Sequence, residues 1–306
     1  MARRTLLGRA VRTIGESWLS IIGATIVLFW VVIALGADIL APFPPNATLT
    51  PLQRPMSPAI LAPATMLGQT PAAAICPAVE GGLDCGTFWL GTDVIGRDIL
   101  SRIMHGARTV LFYAPLATLL AYAFGASMGL LAGYRGGWVD DALSFVSNVI
   151  LSFPVLVLYV VIISVIGSSG ANILIAVIFA SAPAIMRIVR GLTMDIRNRE
   201  YVMAAETRGE PVWRILFVEI LPNARGPLIV DFCVRIGYVT ITIGVLGFLG
   251  LGLPPPNPDW GGMVNETRQM AMVFPHMALF PCLAITSLVL GFNLLADGLN
   301  ESALRD

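Results

Sequence analysis

The chain has 306 residues, of which 56% are hydrophobic and only 12% are charged, and its formal net charge is zero. Soluble globular domains carry about 25% charged residues. The composition therefore excludes an ordinary soluble domain and predicts an integral membrane protein. The balanced charge gives no indication of a polyanionic partner such as nucleic acid.

Long runs without charge predict the membrane-spanning helices, since a helix needs about 20 apolar residues to cross a bilayer. A transmembrane β-barrel would instead show alternating segments of about ten residues, and these runs do not alternate. The expected fold is an all-α membrane protein with six spans: Ser17–Ala37, Thr109–Tyr134, two within Ala142–Met186 that separate at Gly167–Asn172, Ile236–Pro258 with a start nearer Pro227, and Gln269–Ala296.

These spans divide the chain into three parts. Residues 1–40 are expected to form the N-terminus and first helix, residues 41–107 a loop outside the membrane, and residues 108–306 a core of five helices. The first apolar run is longer than the hydrophobic part of a typical signal peptide and lacks a small-residue cleavage site. We therefore expect the first helix to remain uncleaved.

Arginine predicts the orientation, because short loops rich in basic residues stay in the cytoplasm. The segment before the first span carries four arginines, and the loop at residues 187–225 carries seven. An even number of spans then places both termini and the 187–225 loop in the cytoplasm, with residues 41–107 outside.

The outer segment Ala41–Gly86 is rich in proline and alanine, and it is expected to be irregular. It contains Cys76 and Cys85, which could form a disulfide in an oxidising compartment or remain two free thiols. Cys233 and Cys282 fall within predicted spans and are expected only to pack.

Just before the second span, Asp98 precedes a run of apolar residues and is expected to start an amphipathic helix. Arg97, Asp98 and Arg102 lie close enough in sequence to form local ion pairs.

No catalytic or metal site is expected. Gly125–Gly129 matches the G-x-S-x-G nucleophile pattern, but that pattern needs a strand, a turn and a helix. Within a span, Gly125, Gly129 and Gly133 instead form a strip that favours close helix packing. All 19 basic residues are arginine, so the chain cannot supply the lysine of a phosphate-binding loop. If the chain takes part in ATP-driven transport, ATP would have to be hydrolysed on another subunit.

Two features near the membrane core are candidates for a polar pathway or gate. Asp231 and Arg235 are four residues apart on one helical face, and they could pair with each other or line a pathway. Gly250 and Trp260 flank the proline-rich stretch at residues 254–258, which could be an external gate or an ordinary outer turn.

The segment Glu200–Asn223 is polar at first and apolar later. A helix is expected up to Arg208, a turn at Gly209, a second helix with Pro211 in its first turn, and re-entry to the membrane at Pro222. The residues alone leave two interpretations open: a linker on the bilayer surface, or a docking element for a cytoplasmic partner.

This segment resembles the EAA loop of bacterial ABC-importer permeases. Ala204, Ala205, Gly209, Leu221 and Pro222 fit the family pattern at its spacing, whereas Met203 replaces the usual glutamate and Glu219 an isoleucine. The segments "LGTDVIGRDILSRIMHGAR", "FLGLGLPPPNPDWGGM" and "NLLADGLNESALRD" are similar to the dipeptide/oligopeptide/nickel group, especially its second, C-type permease subunit. The resemblance covers nearly the whole chain except the insert around Cys76–Cys85.

The resemblance implies the type I importer permease fold and a subunit of the bacterial inner membrane that is not itself an enzyme. It implies a homologous second permease, two cytoplasmic ATPase subunits that bind ATP and Mg, and an extracytoplasmic solute-binding protein. Because Met203 replaces the usual glutamate, anchoring of the ATPase-coupling loop would depend on Glu206, Arg208 or apolar residues. The cargo would be peptides or similar small solutes, and the rival interpretation is a secondary transporter that works alone.

Overall fold

A computed structural model describes residues 17–61, 66–67, 70–71, 78–79, 82–254 and 256–303. Most of these residues are helical, which confirms the predicted fold class. In chain order the helices are α1 (Trp18–Leu40), α2 (Ile99–Arg135), α3 (Gly137–Leu151), α4 (Val155–Ile166), α5 (Gly170–Arg197), α6 (Glu200–Thr207), α7 (Val212–Phe248), α8 (Trp260–Thr267) and α9 (His276–Ala303).

Among the residues described, the five helices α1, α2, α5, α7 and α9 are long and apolar enough to cross a membrane. Helices α3 and α4 pass the same test only together, and they are bent by 88° at the break between them. The break falls at Pro154, which lacks an N–H and disfavours helical backbone in the residue before it. The predicted separation near Gly167 is confirmed, whereas the bend at Pro154 was not predicted.

Helix α2 begins at Ile99 and not at Thr109, so the expected boundary between residues 107 and 108 is wrong. With 37 residues, the helix is about 55 Å long, well beyond the roughly 30 Å hydrocarbon core. The charged residue in its first turn is compatible with the helix because it is paired within the protein: Arg102 Nη1 lies 2.9 Å from Asp93 Oδ2.

Two other span boundaries also differ from the predictions. Helix α7 ends at Phe248, so residues 249–254 and 256–258 lie outside it. Helix α9 begins at His276, whereas Gln269 lies in a short 3-10 turn. Pro275 separates the two because the residue before a proline is disfavoured in a helix.

The outer segment is not wholly irregular, and that expectation is wrong. Strand β1 (Ser57–Leu61) pairs antiparallel with β5 (Gly82–Phe88), and β4 (Ala78–Val79) lies on the other side of β5. A separate two-residue pair joins β2 (Met66–Leu67) to β3 (Thr70–Pro71). Pro58 is compatible with β1 because that strand is at the sheet edge. Cys76 and the side chain of Cys85 lie outside the described residues, so the disulfide stays a prediction.

Helices α2 and α5 pack closely along the predicted glycine strip. A Cβ atom at Gly125 would lie 2.6 Å from the carbonyl oxygen of Ala182, and one at Gly129 would lie 2.6 Å from that of Met186. Both distances are too short for any side chain. Ser127 donates its hydroxyl hydrogen bond to Ala123 of its own helix. The Gly125–Gly129 motif therefore serves helix packing.

Candidate functional site

The predicted coupling loop is a helix, a tight turn and a second helix. Helix α6 is followed by Gly209 at φ 72°. The backbone N–H of Gly209 donates to the backbone carbonyl of Glu206 at 2.9 Å. The turn at Gly209 is thus confirmed, since glycine adopts this left-handed conformation at least cost. Pro211 stands one residue earlier than expected, as the N-cap of α7 and not within its first turn.

One face of α6 is buried against the membrane helices. Val202 and Ala205 are fully buried, and they share an apolar cluster with Ile185 of α5 and with Ile215 and Ile220 of α7. Ala204 lies on the exposed side, and the side chain of Met203 is 48% exposed. The helix is therefore held by its alanine and valine, whereas Met203 faces away from the protein.

Polar contacts add to this attachment. The carboxylate of Glu206 lies close to the hydroxyl of Tyr134 at the end of α2, and the guanidinium of Arg197 lies 5.5 Å from the centre of the same ring. Arg208 is largely exposed, and among the described residues its one ion pair is with Glu210, at 3.9 Å. Of the predicted substitutes for the missing glutamate, Glu206 and the apolar residues make contacts with other helices.

Pro222 does not interrupt the helix, and the re-entry to the membrane expected at this residue stays a prediction. Helix α7 is continuous, but Ile215–Ile220 is π-helical, and the N–H of Leu221 donates to Leu216, five residues earlier. Pro222 is then the second residue of the following α-helical segment, where a missing N–H costs little. Leu221 is half-buried beside the cluster that holds α6.

The opposite side of the loop carries apolar side chains that are exposed at the protein surface. Their exposed fractions range from 39% to 64%. We call this set the exposed loop surface: Tyr201, Met203, Trp213, Phe217 and Val218. A cluster of exposed large apolar residues is typical of an interaction site.

The predicted pairing of the intramembrane charges is confirmed. Arg235 Nε donates to Asp231 Oδ2 at 2.6 Å, and the Tyr122 hydroxyl of α2 donates to the same oxygen. Asp231 also lines a cavity of about 680 Å³ beside α7. The pair is thus both a link between helices and part of a cavity wall.

The two predicted gate residues have different surroundings. Trp260 is fully buried, its indole N–H donates to the carbonyl of Ile103 at 3.0 Å, and its ring lies 4.9 Å from that of Trp30. Gly106 makes room for it, since a Cβ atom there would lie 2.7 Å from the indole ring. Gly250 instead lies in the exposed turn after α7, at φ 78°. In this conformation Trp260 anchors α8 and lines no open pathway.

A buried charge cluster connects α8 to the start of α2. Arg102 donates to Glu266 at 2.8 Å and to Asp93 at 2.9 Å. Arg97 bonds to the same two carboxylates. The expected pairing with Asp98 is wrong, because Asp98 caps α2 by accepting from the backbone N–H of Ser101 at 2.8 Å and from its hydroxyl at 2.6 Å. Glu266 was missed because it is 164 residues from Arg102 in sequence.

Two carboxylates of this region are affected by burial. Burial raises the pKa of Asp98 above its ordinary value. Burial also raises the pKa of Asp259, the N-cap of α8, to about 6. Asp259 accepts from the backbone N–H of Gly262 at 3.2 Å, a contact that stabilises the ionised form but offsets only part of the cost of burial.

Comparisons with known proteins agree with this architecture. Residues 125–303 match the family described as "Binding-protein-dependent transport system inner membrane component". The chain is 43% identical over 214 residues to the glutathione transport system permease protein GsiD of Pectobacterium atrosepticum, which covers 70% of this chain and 71% of the relative. It is 37% identical over 280 residues to the dipeptide transport system permease protein DppC of Haemophilus influenzae, with 92% and 89% covered.

A third relative is the dipeptide permease DppC of Alkalihalophilus pseudofirmus, at 40% identity over 214 residues and 70% of each chain. The matched residues run from the glycine strip through the coupling loop to α9. The chain therefore belongs to the family of inner membrane permease components of binding-protein-dependent transport systems.

Proposed function

We propose that this permease is the C-type subunit of an ATP-driven importer for dipeptides or similar small solutes. Its relatives carry the names of dipeptide and glutathione transport permeases, and the importer architecture agrees with those names. A secondary transporter that works alone is not supported, because the family is defined by dependence on a binding protein.

ATP would be bound with Mg on two cytoplasmic ATPase subunits, since the chain has no lysine for a phosphate-binding loop. The observation that carries the proposal is that α6 is attached to other helices on one side and exposed on the other. One side is fixed to α5 and α7 through Val202 and Ala205, and the other belongs to the exposed loop surface. An ATPase that binds this surface would move the membrane helices with it, which couples the two sites.

The remaining partners follow from the same proposal. A homologous permease would complete the pathway as a heterodimer within the lipid bilayer, and a solute-binding protein would deliver cargo from the outside. The arginine-rich 187–225 loop and both termini would face the cytoplasm, and residues 41–98 would face outward.

The test is reconstitution of the complex in liposomes, with and without its ATPase subunits. We expect uptake of a labelled dipeptide only when the ATPases, ATP and the binding protein are all present. Uptake by the permease alone would contradict the proposal. A second measurement is crosslinking from a cysteine at exposed Trp213, which should capture an ATPase, whereas a cysteine at exposed Trp138 on α3 serves as the control.

A further inference from the structure

The cavity beside α7 has a polar character that the coupling function does not explain. It measures about 680 Å³, and its walls come from one face of the first half of α7 and from Asn300 of α9. Arg225 and Asp231 are the charged residues of this wall. Asp231 lies within a helix that is long and apolar enough to cross a membrane, where a charged side chain is costly and usually serves a function.

Asp231 uses only one of its oxygens for contacts within the protein. The hydrogen bonds from Arg235 and Tyr122 both go to Oδ2. Within the described part of the chain, Oδ1 accepts none. Because an ionised carboxylate can accept several hydrogen bonds, Asp231 has an oriented acceptor left for a further N–H donor.

Arg225 lies six residues before Asp231 on the same helix and also lines the cavity. Its side chain is exposed, and it forms no ion pair with any residue that the structure describes. Six helical residues correspond to an axial distance of about 9 Å. An extended peptide of two or three residues spans about 7–10 Å. The axial separation of the two residues is thus comparable with the length of such a peptide. The two residues point about 120° apart around the helix, but both line the same cavity.

We propose that Asp231 and Arg225 form a binding site for the two ends of a short zwitterionic peptide during its passage. This inference rests on the proposed function. Asp231 Oδ1 accepts a hydrogen bond from the α-ammonium group, and the Arg225 guanidinium binds the terminal carboxylate, ideally through two parallel hydrogen bonds. Arg235 and Tyr122 are positioning residues that hold the carboxylate in place. The site selects solutes of two or three residues with free ends.

The test uses the complete complex in liposomes and three probes: dialanine, N-acetyl-dialanine and dialanine amide. Because the binding protein stays the same, a change in the ratio of uptake rates between probes reports on the permease. We expect Asp231→Asn to lower dialanine uptake about tenfold, as for loss of one charge-assisted hydrogen bond. It should lower N-acetyl-dialanine uptake far less. Arg225→Gln should likewise act on dialanine but not on dialanine amide.

Matched controls are Asp141→Asn and Arg135→Gln, whose side chains are exposed at the junction of α2 and α3. Arg225→Gln also guards against misfolding, because it replaces an exposed side chain without an ion pair in the described structure. ATPase activity that is stimulated by the binding protein should stay within twofold of the wild type.

The possible results are distinguishable. If the wild-type complex takes up no peptide, the proposed function fails and this inference fails with it. If the wild type transports dialanine but both variants match it, or reduce all three probes equally, the inference alone is overturned. The Asp231–Arg235 pair would then be only a link between helices.

Discussion

The carboxylate of Glu206 on α6 lies close to the hydroxyl of Tyr134 at the end of α2, and the guanidinium of Arg197 lies 5.5 Å from the centre of the same tyrosine ring. The contact lies directly beside the buried alanine and valine of α6. It connects the exposed coupling loop to a helix that runs the full depth of the membrane. In a loop where methionine occupies the position of the family's glutamate, this second carboxylate holds the helix to the transmembrane helices.

Removal of that contact should weaken coupling more than folding. Tyr134→Phe deletes the hydroxyl that faces Glu206 and should cost at most about 1 kcal/mol of stability, the net contribution of one polar contact. We expect uptake per ATP hydrolysed to fall severalfold while ATPase activity persists, because the two ends of the loop would no longer move as one unit. Uptake and phosphate release are measured on the same liposomes.

Arg208→Gln is the control for the Tyr134 variant, since Arg208 is exposed and, within the described part of the chain, forms its one ion pair with Glu210. Equal loss of coupling in both variants, or none in either, would contradict the assigned role of Glu206.

Gly209 should tolerate only residues that accept left-handed backbone. Its φ is 72° and a Cβ atom there meets nothing within 4 Å, so the constraint is conformational and not steric. Gly209→Val should strain the turn by about 1–2 kcal/mol and uncouple ATP hydrolysis from uptake. Gly209→Asn should retain most coupling, because asparagine enters this region more readily. Wild-type uptake and ATPase activity in the valine variant would show that the turn has no coupling role.

Trp260 should be a main determinant of stability on the α8 side. Trp260→Ala should lower the free energy of unfolding by about 3–5 kcal/mol, as for other buried aromatic residues. Trp260→Phe keeps most of the ring but loses the hydrogen bond to Ile103, so we expect a loss of about 1 kcal/mol.

Thermal unfolding of the purified complex measures both tryptophan variants. Trp138→Ala is the control, because Trp138 is 80% exposed, lies outside the exposed loop surface and should leave the melting temperature nearly unchanged. A larger effect from Trp138 than from Trp260 would be inconsistent with the anchoring role.

The raised pKa of Asp259 predicts that the stability of the protein depends on pH. Its folded-state pKa is about 6, above the ordinary value of about 4, so the folded state binds the proton more tightly. The contribution of this group to stability is therefore greatest below pH 4, declines as pH rises from about 4 to 6, and is lowest above pH 6. The full difference is at most about 3 kcal/mol.

Asp259→Asn keeps a capping oxygen but removes the titration. We expect this variant to melt at a higher temperature than the wild type at pH 7 and to differ little from it at pH 4. Melting curves across this pH range provide the measurement. A variant that shows the same pH dependence as the wild type would rule out Asp259 as its source.

Cys76 and Cys85 are predicted to form a disulfide. Alkylation of the denatured protein should add mass at Cys76 and Cys85 only after reduction, whereas Cys233 and Cys282, which are free, should react without it. Alkylation of Cys76 and Cys85 before reduction would show that both are free thiols.

Local patterns were enough to predict a helical membrane protein, the cap at Asp98, the turn at Gly209 and the ion pair of Asp231 with Arg235. Each of these features depends on hydrophobicity, on backbone preference or on residues four apart in one helix. Such local features can be derived from the order of residues within one segment. The family's spacing pattern assigns Ala205 and Pro222 to one loop, and the coupling role of that loop stays a prediction.

Contacts between distant segments were decided only by the tertiary structure. Glu206 and Tyr134 are far apart in sequence, as are Arg102 and Glu266, so no periodicity predicts that they meet. Trp260 looked like a gate residue in its glycine- and proline-rich stretch, but Gly106 on another helix provides the space that buries it. Composition and hydrophobic periodicity indicate which secondary structure a single segment prefers. The burial and pairing of a polar group depend instead on which other segment packs against it.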